Sequence, residues 1–156
     1  MKNVHVLDHP LIQHKLSILR NKDTSSMEFR TLISEISTLM CYEATRDLPI
    51  KEVETQTPIA LAKTYALDCE VVIVPILRAG LGMVDGILQM IPSARIGHIG
   101  IFRDEETLQP VEYFAKFPDE LDQRDIFIVD PMLATGMSME IAYKALLSHG
   151  TPKHVH

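Results

Sequence analysis

Hydrophobic positions change their period along the chain and separate an N-terminal helical part from an α/β part. Apolar residues after His9-Pro10 fall near helical spacing, and proline is tolerated in a first helical turn, so a short helix is predicted there. Ser25-Ser26-Met27-Glu28 has the capping-box form and predicts the start of a second helix. Its apolar face carries Phe29, Leu32, Ile33, Ile36, Leu39 and Met40. Residues 59–67 are predicted to form a third helical segment.

The second half alternates between buried strands and helices. The β-branched run "EVVIVPIL" predicts a buried strand, a helix is expected over about 82–90, and "ARIGHIGIF" at 94–102 predicts a second strand. Strand, helix and strand in this order imply a right-handed parallel crossover. A strand at 126–129, a helix at 138–148 that closes at Gly150, and the start of a strand at 153–156 follow. The expected class is therefore α/β with a parallel sheet.

Residues 103–118 interrupt this alternation. The segment is polar and rich in Glu, and it contains Pro110 and Pro118, so we expect a long excursion, with a hairpin as one form of it. Loops of this length inside compact domains are usually functional.

Length and charge narrow the function classes. The 156 residues fit one domain, with a helical part at about 1–68 and an α/β part at about 69–156. A net charge of −6 lacks the cationic surface that nucleic acid or an anionic membrane requires. The most apolar region, 71–91, contains Arg78, Asp85 and Gln89, which argues against a membrane span. We therefore expect neither a nucleic-acid partner nor a membrane partner.

The N-terminus and the cysteines indicate the compartment. Polar and charged residues interrupt the apolar ones in residues 1–20, so no continuous signal-peptide core is present and secretion is not expected. Cys41 and Cys69 stand far apart without a CxxC pairing, which is typical of reduced thiols. A cytoplasmic location is predicted.

The stretch "DIFIVDPMLATGMS" carries the clearest candidate chemistry. Asp130 stands at a strand's end, and "ATGMS" turns directly into a helix, so backbone N–H groups face outward at the positive end of a helix dipole. Thr135 and Ser138 add hydroxyl donors, and Gly136 allows a close backbone approach or a positive φ. The pattern fits a phosphate site. An ordinary strand-to-helix turn with Ser138 as N-cap is the alternative.

Two arginines stand at the ends of the neighbouring predicted strands. Arg78 precedes Gly80-Leu81-Gly82, and Arg103 lies at the mouth of the long excursion. Open α/β sheets bind ligands at the carboxyl ends of their strands, so two cations and an amide turn there imply a ligand with more than one phosphate group. A dinucleotide site with Asp104 as the ribose-binding acid is an alternative, but Gly86 falls one residue late for GxGxxG.

Three histidines near the C-terminus raise the question of a metal. His149, His154 and His156 straddle a helix end and a strand, and they lack a nearby third ligand at defined spacing. A metal site is therefore a weak interpretation of this cluster.

Three separated motifs resemble a known family. "VDPMLATGMS" resembles the phosphoribosyl-diphosphate (PRPP) loop of type I phosphoribosyltransferases, and "PILRAGLGMVDG" with "IGIFRDEETLQPVEYFAKFP" makes the chain similar to the uracil phosphoribosyltransferases. The resemblance implies the type I phosphoribosyltransferase fold, with N-terminal helices and a C-terminally incomplete sheet. It implies a pentosyltransferase of pyrimidine salvage, which transfers ribose 5-phosphate from PRPP to uracil with Mg²⁺ and yields UMP and diphosphate.

The resemblance also implies roles for individual residues. Arg78 and Arg103 would contact PRPP, with Arg78 on the diphosphate side, and Asp130 would hold the ribose hydroxyls. Residues 104–118 would form a mobile loop that covers the site. Mg²⁺ would be held mainly by PRPP, and no catalytic residue is assigned. The loop that binds PRPP and wraps its 5′-phosphate would comprise Pro131, Met132, Leu133, Ala134, Thr135, Gly136, Met137 and Ser138.

The sequence departs from the family in two places. Met137 stands where glycine is usual, so either its N–H still faces the phosphate or the pocket is altered. The family's uracil-binding segment lies C-terminal to the residues present, so we expect a truncated transferase with little or no turnover. The resemblance further implies a homodimer, with GTP as a candidate activator. A non-catalytic PRPP-binding or nucleotide-binding module, a dinucleotide-dependent oxidoreductase and a purely structural domain are the alternatives.

Overall fold

The computed structural model describes residues 4–104 and 110–156. Within these ranges no helix combines the length and the apolar character needed to cross a membrane. The elements in chain order are α1 Pro10–Leu19, α2 Ser26–Ala44, β1 Ile50–Gln56, β2 Leu61–Leu67, β3 Glu70–Leu77, α3 Leu81–Met90, β4 Arg95–Ile96, β5 His98–Arg103, β6 Pro110–Lys116, β7 Arg124–Val129, α4 Met137–His149 and β8 His154–Val155, with a 3₁₀ turn at Leu121–Gln123.

A mixed sheet in the order β6-β5-β3-β7-β8 forms the centre of the α/β part, and β4 also pairs with β3. Strands β3, β5, β7 and β8 are parallel, whereas β6 runs antiparallel to β5. The predicted parallel crossover through α3 is confirmed. Of the segment predicted to be a long excursion, residues 110–116 form β6, which pairs with β5, so the hairpin form of that prediction holds there and the expected mobile loop over 104–118 is wrong for these strand residues. Residues 105–109 of that segment lie outside the described residues.

The core has two layers, one on each face of the sheet. Val71 and Ile73 of β3 belong to a cluster with residues of α2 and α3, whereas Val72 and Val74 belong to a cluster with residues of α4. Because both faces of β3 are covered, the strand is apolar at successive positions. The predicted buried strands at 70–77 and 126–129 are therefore confirmed.

The N-terminal helices pack on α3. Ser25 is the N-cap of α2, and its side chain accepts a hydrogen bond from the Glu28 N–H at 3.2 Å, as the capping-box pattern predicts. A Cβ on Gly86 would lie 2.1 Å from the carbonyl oxygen of Ser34, so glycine at this position permits the close approach of α2 and α3. The hydroxyl of Thr38 donates to the Gly86 carbonyl at 3.0 Å.

The predicted helix at 59–67 is wrong. Strands β1 and β2 form an antiparallel hairpin, and Thr57 closes its turn by donating from its hydroxyl to the Ala60 carbonyl at 2.6 Å. Exposed and half-buried residues alternate along β2, which is the period of a strand. The hairpin pairing therefore overrides the helical spacing of the apolar residues.

The predicted strand at 94–102 is divided into two. Gly97 separates β4 from β5, and a Cβ on it would lie 3.0 Å from Phe117 Cδ1. The chain that follows β6 crosses close to the backbone here, which leaves little room for a side chain.

Candidate functional site

Three neighbouring parallel strands end at the same edge of the sheet. Arg78 follows β3, Arg103 is the last residue of β5, and Asp130 follows β7. Because β5, β3 and β7 are adjacent and parallel, these chain positions come together where open α/β sheets bind ligands. The roles assigned to these residues stay predictions.

A tight turn joins β3 to α3 and carries Arg78. The peptide bond between Leu77 and Arg78 is cis. The Gly80 N–H donates to the Ile76 carbonyl at 2.8 Å, and the Leu81 N–H donates to the Arg78 carbonyl at 3.2 Å. The first bond anchors the turn to the end of β3, and the second lies within the turn. The Arg78 side chain is exposed.

An open groove of about 900 Å³ lies beside this turn. Leu77, Arg78 and Ala79 form one side of its lining, and residues of the β5–β6 hairpin contribute the remainder. The lining residues from the hairpin are Ile101, Phe102 and Tyr113. The groove therefore combines a cation with two aromatic side chains at the edge where β3, β5 and β7 have their carboxyl ends.

Asp130 begins the turn after β7 and is half-buried. Burial raises the pKa of its carboxyl group above the ordinary value, and this effect outweighs the hydrogen bond from the Met132 N–H, which lowers the pKa. That bond joins the Met132 nitrogen to Asp130 Oδ1 at 3.4 Å. A carboxylate that is partly removed from water gains from a ligand that donates hydrogen bonds to it.

Gly136 forms the N-cap of α4 in the left-handed conformation, with φ 79° and ψ −3°. The positive φ that the sequence allows at this glycine is therefore confirmed, whereas the alternative with Ser138 as N-cap is wrong, because Ser138 lies inside the helix. No side chain caps this end of α4. The N–H groups of the first turn have no acceptor within the helix, so they are available to an anion.

Met137 is the first residue of α4 and is half-buried. Among residues 131–138 only Gly136 has a positive φ, so Met137 needs no conformation that an L-residue avoids. Its N–H stays in the first helical turn, where it is available to a phosphate. Methionine therefore fits the backbone of this turn.

Two of the three C-terminal histidines lie beside the same carboxylate group. His154 Nδ1 lies 2.8 Å from Asp125 Oδ1, whereas His149 Nδ1 lies 2.9 Å from the Ala145 carbonyl oxygen. In residues 4–104 and 110–156 no three or more His, Cys, Asp or Glu side chains are grouped so that they could hold a metal ion. His156 Nε2 lies 3.9 Å from the same Asp125 oxygen, so His154 and His156 converge on one carboxylate, whereas His149 bonds within α4.

Two glycines at this edge have roles that the sequence reasoning missed. A Cβ on Gly80 would lie 2.5 Å from the Val129 carbonyl oxygen, and one on Gly100 would lie 2.4 Å from Tyr113 Cζ. Gly80-Leu81-Gly82 is visible in the sequence as a glycine pair. Its spacing, however, suggests dinucleotide binding and not the close contact of Gly80 with Val129.

Comparison with known sequences identifies the family of this chain. A family model described as uracil phosphoribosyltransferase matches residues 6–155. The uracil phosphoribosyltransferase of Ligilactobacillus salivarius is 59% identical over 151 residues, which cover 96% of this chain and 72% of that protein. The one from Lactobacillus gasseri is 61% identical over 146 residues, which cover 93% of this chain and 70% of that protein.

Comparison with solved structures supports the fold. A protein from Aquifex aeolicus superposes with a TM-score of 0.90 at 41% identity, covering 97% of this chain and 72% of that one. A hypoxanthine-guanine phosphoribosyltransferase from Bacillus anthracis has a TM-score of 0.57 at 12% identity, covering 81% of this chain and 63% of that one, and it shows the fold alone. The predicted type I phosphoribosyltransferase fold is confirmed. The chain belongs to the uracil phosphoribosyltransferase family, whose members are pentosyltransferases.

Proposed function

We propose that this chain binds PRPP with Mg²⁺ at the carboxyl ends of β3, β5 and β7, as part of a transferase that converts PRPP and uracil to UMP and diphosphate. The observation that carries the proposal is the uncapped N-terminus of α4, opened by Gly136 directly after Asp130. It supplies backbone donors for a phosphate beside a carboxylate that suits ribose hydroxyls. Arg78 stands on the neighbouring strand end, where it suits the diphosphate.

In this proposal the residues at the strand ends bind the two phosphate-bearing ends of PRPP and orient its ribose. The first turn of α4 holds the 5′-phosphate, and Asp130 accepts hydrogen bonds from the ribose hydroxyls. Arg78 and Arg103 neutralise charge on the diphosphate side. With both ends of PRPP fixed, the ribose C1 faces the incoming base in one orientation, which removes much of the entropic cost of the reaction. Loss of diphosphate from C1 is then helped by cations that are already in place.

The described residues fit a magnesium ion that is bound chiefly through the substrate. Mg²⁺ in phosphate sites uses one or two carboxylates, substrate oxygens and water rather than a protein cage. Asp130 is a carboxylate at the proposed site, and its half-buried oxygens gain from a cation close by. The ion supplies neutralisation of the diphosphate charge when it is bound.

Calorimetric titration of PRPP with Mg²⁺, followed by uracil, tests the proposal. We expect saturable PRPP binding that weakens by about 1.5–3 kcal/mol in Arg78→Ala and in Arg103→Ala, the range for a hydrogen bond to a charged group. Unchanged binding in both variants would favour the purely structural alternative. Absence of PRPP binding by the folded wild-type chain would refute the proposal.

The uracil step of the same experiment addresses catalysis. Little or no UMP formation by the 156 residues alone stays a prediction, and robust turnover would overturn it. Heat released by PRPP without any response to uracil fits both a transferase that lacks its base pocket and the non-catalytic module, whereas a response to uracil would exclude the module. Addition of GTP to the same mixture tests whether GTP activates the enzyme. Activation by GTP, a role in pyrimidine salvage and a cytoplasmic location all stay predictions.

The hairpin of β1 and β2 supports the proposed homodimer. Its strands pair with each other as a separate two-stranded sheet and carry exposed apolar side chains. Exposed apolar groups on an isolated hairpin are typical of a surface that packs on a partner. The exposed side chains are Ile50, Ile59, Leu61, Tyr65 and Leu67.

A further inference from the structure

The β5–β6 hairpin contains an irregularity beside the Arg78 groove. Gly100 pairs with Phe114, and the next residue, Ile101, pairs with Glu112, so Tyr113 is an extra residue on β6. Such a β-bulge changes the direction of the side chain that it carries, and bulges are frequent next to active sites. The bulge therefore sets where Tyr113 points.

The ring of Tyr113 lies over Gly100. A Cβ on Gly100 would be 2.4 Å from Tyr113 Cζ, 2.7 Å from Cε2 and 2.8 Å from Cε1. These three atoms form the hydroxyl-bearing end of the Tyr113 ring, which therefore fills the space that a side chain at position 100 would need. On its other edge β5 pairs Gly100 with Leu77, the residue before Arg78. The phenol end of Tyr113 is therefore brought across β5 towards the Arg78 turn.

Tyr113 and Arg78 line the same groove. The Tyr113 side chain is 56% exposed, although it rests on Gly100 and its ring centroid is 6.1 Å from that of Phe102. Packing against these neighbours leaves more than half of the residue open to a ligand. The groove is thus lined both by an aromatic side chain that carries a hydroxyl group and by an arginine.

We propose that Tyr113 is a binding residue for the diphosphate group of PRPP. Its ring forms the wall of the groove opposite Arg78, and its hydroxyl donates a hydrogen bond to a diphosphate oxygen. A neutral phenol is a donor at neutral pH, and its bond to an anionic oxygen is charge-assisted. This inference rests on the proposed function and adds a residue that neither the motifs nor the resemblance assigned.

Separate probes for the two ends of PRPP test the inference. Wild type, Tyr113→Phe and Tyr113→Ala are titrated by calorimetry with inorganic diphosphate and Mg²⁺, with PRPP and Mg²⁺, and with ribose 5-phosphate. We expect both variants to bind diphosphate and PRPP about tenfold more weakly, the lower end of the effect of a hydrogen bond to a charged group. Ribose 5-phosphate, which reaches the α4 turn and Asp130 but not the diphosphate side of the site, is expected to bind equally to all three proteins.

A second set of variants tests the geometry. Gly100→Ala displaces the ring and is expected to weaken diphosphate binding about as much as Tyr113→Ala does. In the double variant the two losses are not additive, because both remove one interaction. Phe114→Ala changes an exposed aromatic residue next to Tyr113 on β6 and is expected to leave diphosphate binding unchanged.

The outcomes separate this inference from the proposed function. Unchanged diphosphate affinity in Tyr113→Phe and Tyr113→Ala, with normal PRPP binding by the wild type, would overturn the role of Tyr113 and leave the proposed function standing. Equal losses for diphosphate and ribose 5-phosphate would also overturn it, because they would indicate a general disturbance. A wild-type chain that binds neither PRPP nor diphosphate would overturn both proposals.

Discussion

Gly80 packs against the carbonyl oxygen of Val129 so closely that a Cβ on Gly80 would lie 2.5 Å from that oxygen. The same Cβ would meet the Ile76 nitrogen at 2.7 Å, so backbone atoms surround the position. Val129 is the last residue of β7 and directly precedes Asp130. This contact therefore ties the turn that carries Arg78 to the turn that carries Asp130.

Gly80→Ala is expected to lower the free energy of unfolding by about 1–3 kcal/mol, the usual cost of overpacking, and to weaken PRPP binding because the two turns move apart. Urea unfolding and calorimetry measure the two effects. Gly82→Ala is the matched control, since its Cβ would meet only the Ile33 Cγ2 atom, at 3.3 Å. Equal stability and PRPP affinity in both variants would contradict the prediction.

Gly136→Ala tests the turn that opens α4. The position has φ 79°, and a Cβ there would lie 3.9 Å from Leu133 Cδ1, an ordinary van der Waals contact, so alanine meets backbone strain and no clash. We expect a loss of about 1–2 kcal/mol in stability, and weaker binding of ribose 5-phosphate if the turn relaxes to relieve the strain. Gly150→Ala at the other end of α4 is the control, because its φ of 160° is extended backbone. A stability loss in Gly150→Ala as large as that in Gly136→Ala would count against this explanation.

The local sequence pattern was sufficient to predict an element where the segment is buried on both faces or begins at a strong helix cap. The apolar runs of β3 and β7, the Ser25 cap and the turn before α4 could all be predicted, because each depends on neighbouring residues. Together the strands and turns place Arg78, Arg103 and Asp130 at one edge of the sheet.

Contacts between distant segments could not be predicted in this way. The β1–β2 hairpin was misassigned because residues 59–67 have apolar spacing that also fits a helix, and the decision lies in pairing with residues 50–56. The contact of Gly80 with Val129 joins the turn after β3 to β7, and that of Gly100 with Tyr113 joins β5 to β6, so neither leaves a periodic signal in the sequence. These tertiary contacts outweigh local preference.

Asp130 is expected to reduce stability at neutral pH. Burial raises the folded-state pKa of its carboxyl group, so the folded protein is penalised above that pKa, and the penalty disappears as the pH falls through it. Asp130→Asn should therefore raise the melting temperature at pH 7 and have a smaller effect near pH 4, while it weakens PRPP binding. Thermal unfolding of both proteins at the two pH values measures this, and a larger gain at the lower pH would reverse the sign of the argument.

Glu70 is expected to matter for stability and not for PRPP. It pairs with Arg124, whose side chain is only 3% exposed, at the amino ends of β3 and β7, the edge opposite the proposed site. Glu70→Gln leaves a buried guanidinium group with a weakened partner, and we expect a loss of about 1.5–3 kcal/mol. Glu43→Gln weakens a solvent-accessible pair with Arg46, outside the β1–β2 hairpin, and should cost clearly less, because such an ion pair contributes little to stability. Urea unfolding compares them, and a large loss of PRPP affinity in Glu70→Gln would contradict the assignment of the site to the other edge.

The β1–β2 hairpin is expected to hold two copies of the chain together. Ile59 is 96% exposed at the turn, and Leu61 is 59% exposed beside it. Ile59→Asp combined with Leu61→Glu places charge on that surface and should shift the chain from dimer to monomer, because charges are costly to bury in an interface.

Light scattering at several protein concentrations measures the state of assembly. Thr55→Lys with Thr64→Lys tests whether any added charge on the hairpin has this effect. These two residues are diagonal neighbours on β1 and β2, and their hydroxyl oxygens lie 2.6 Å apart. We expect this control to remain dimeric, since it changes polar positions only. A wild-type chain that is a monodisperse monomer at all concentrations would refute the homodimer, and a dimer that survives the Ile59 and Leu61 changes would place the interface elsewhere.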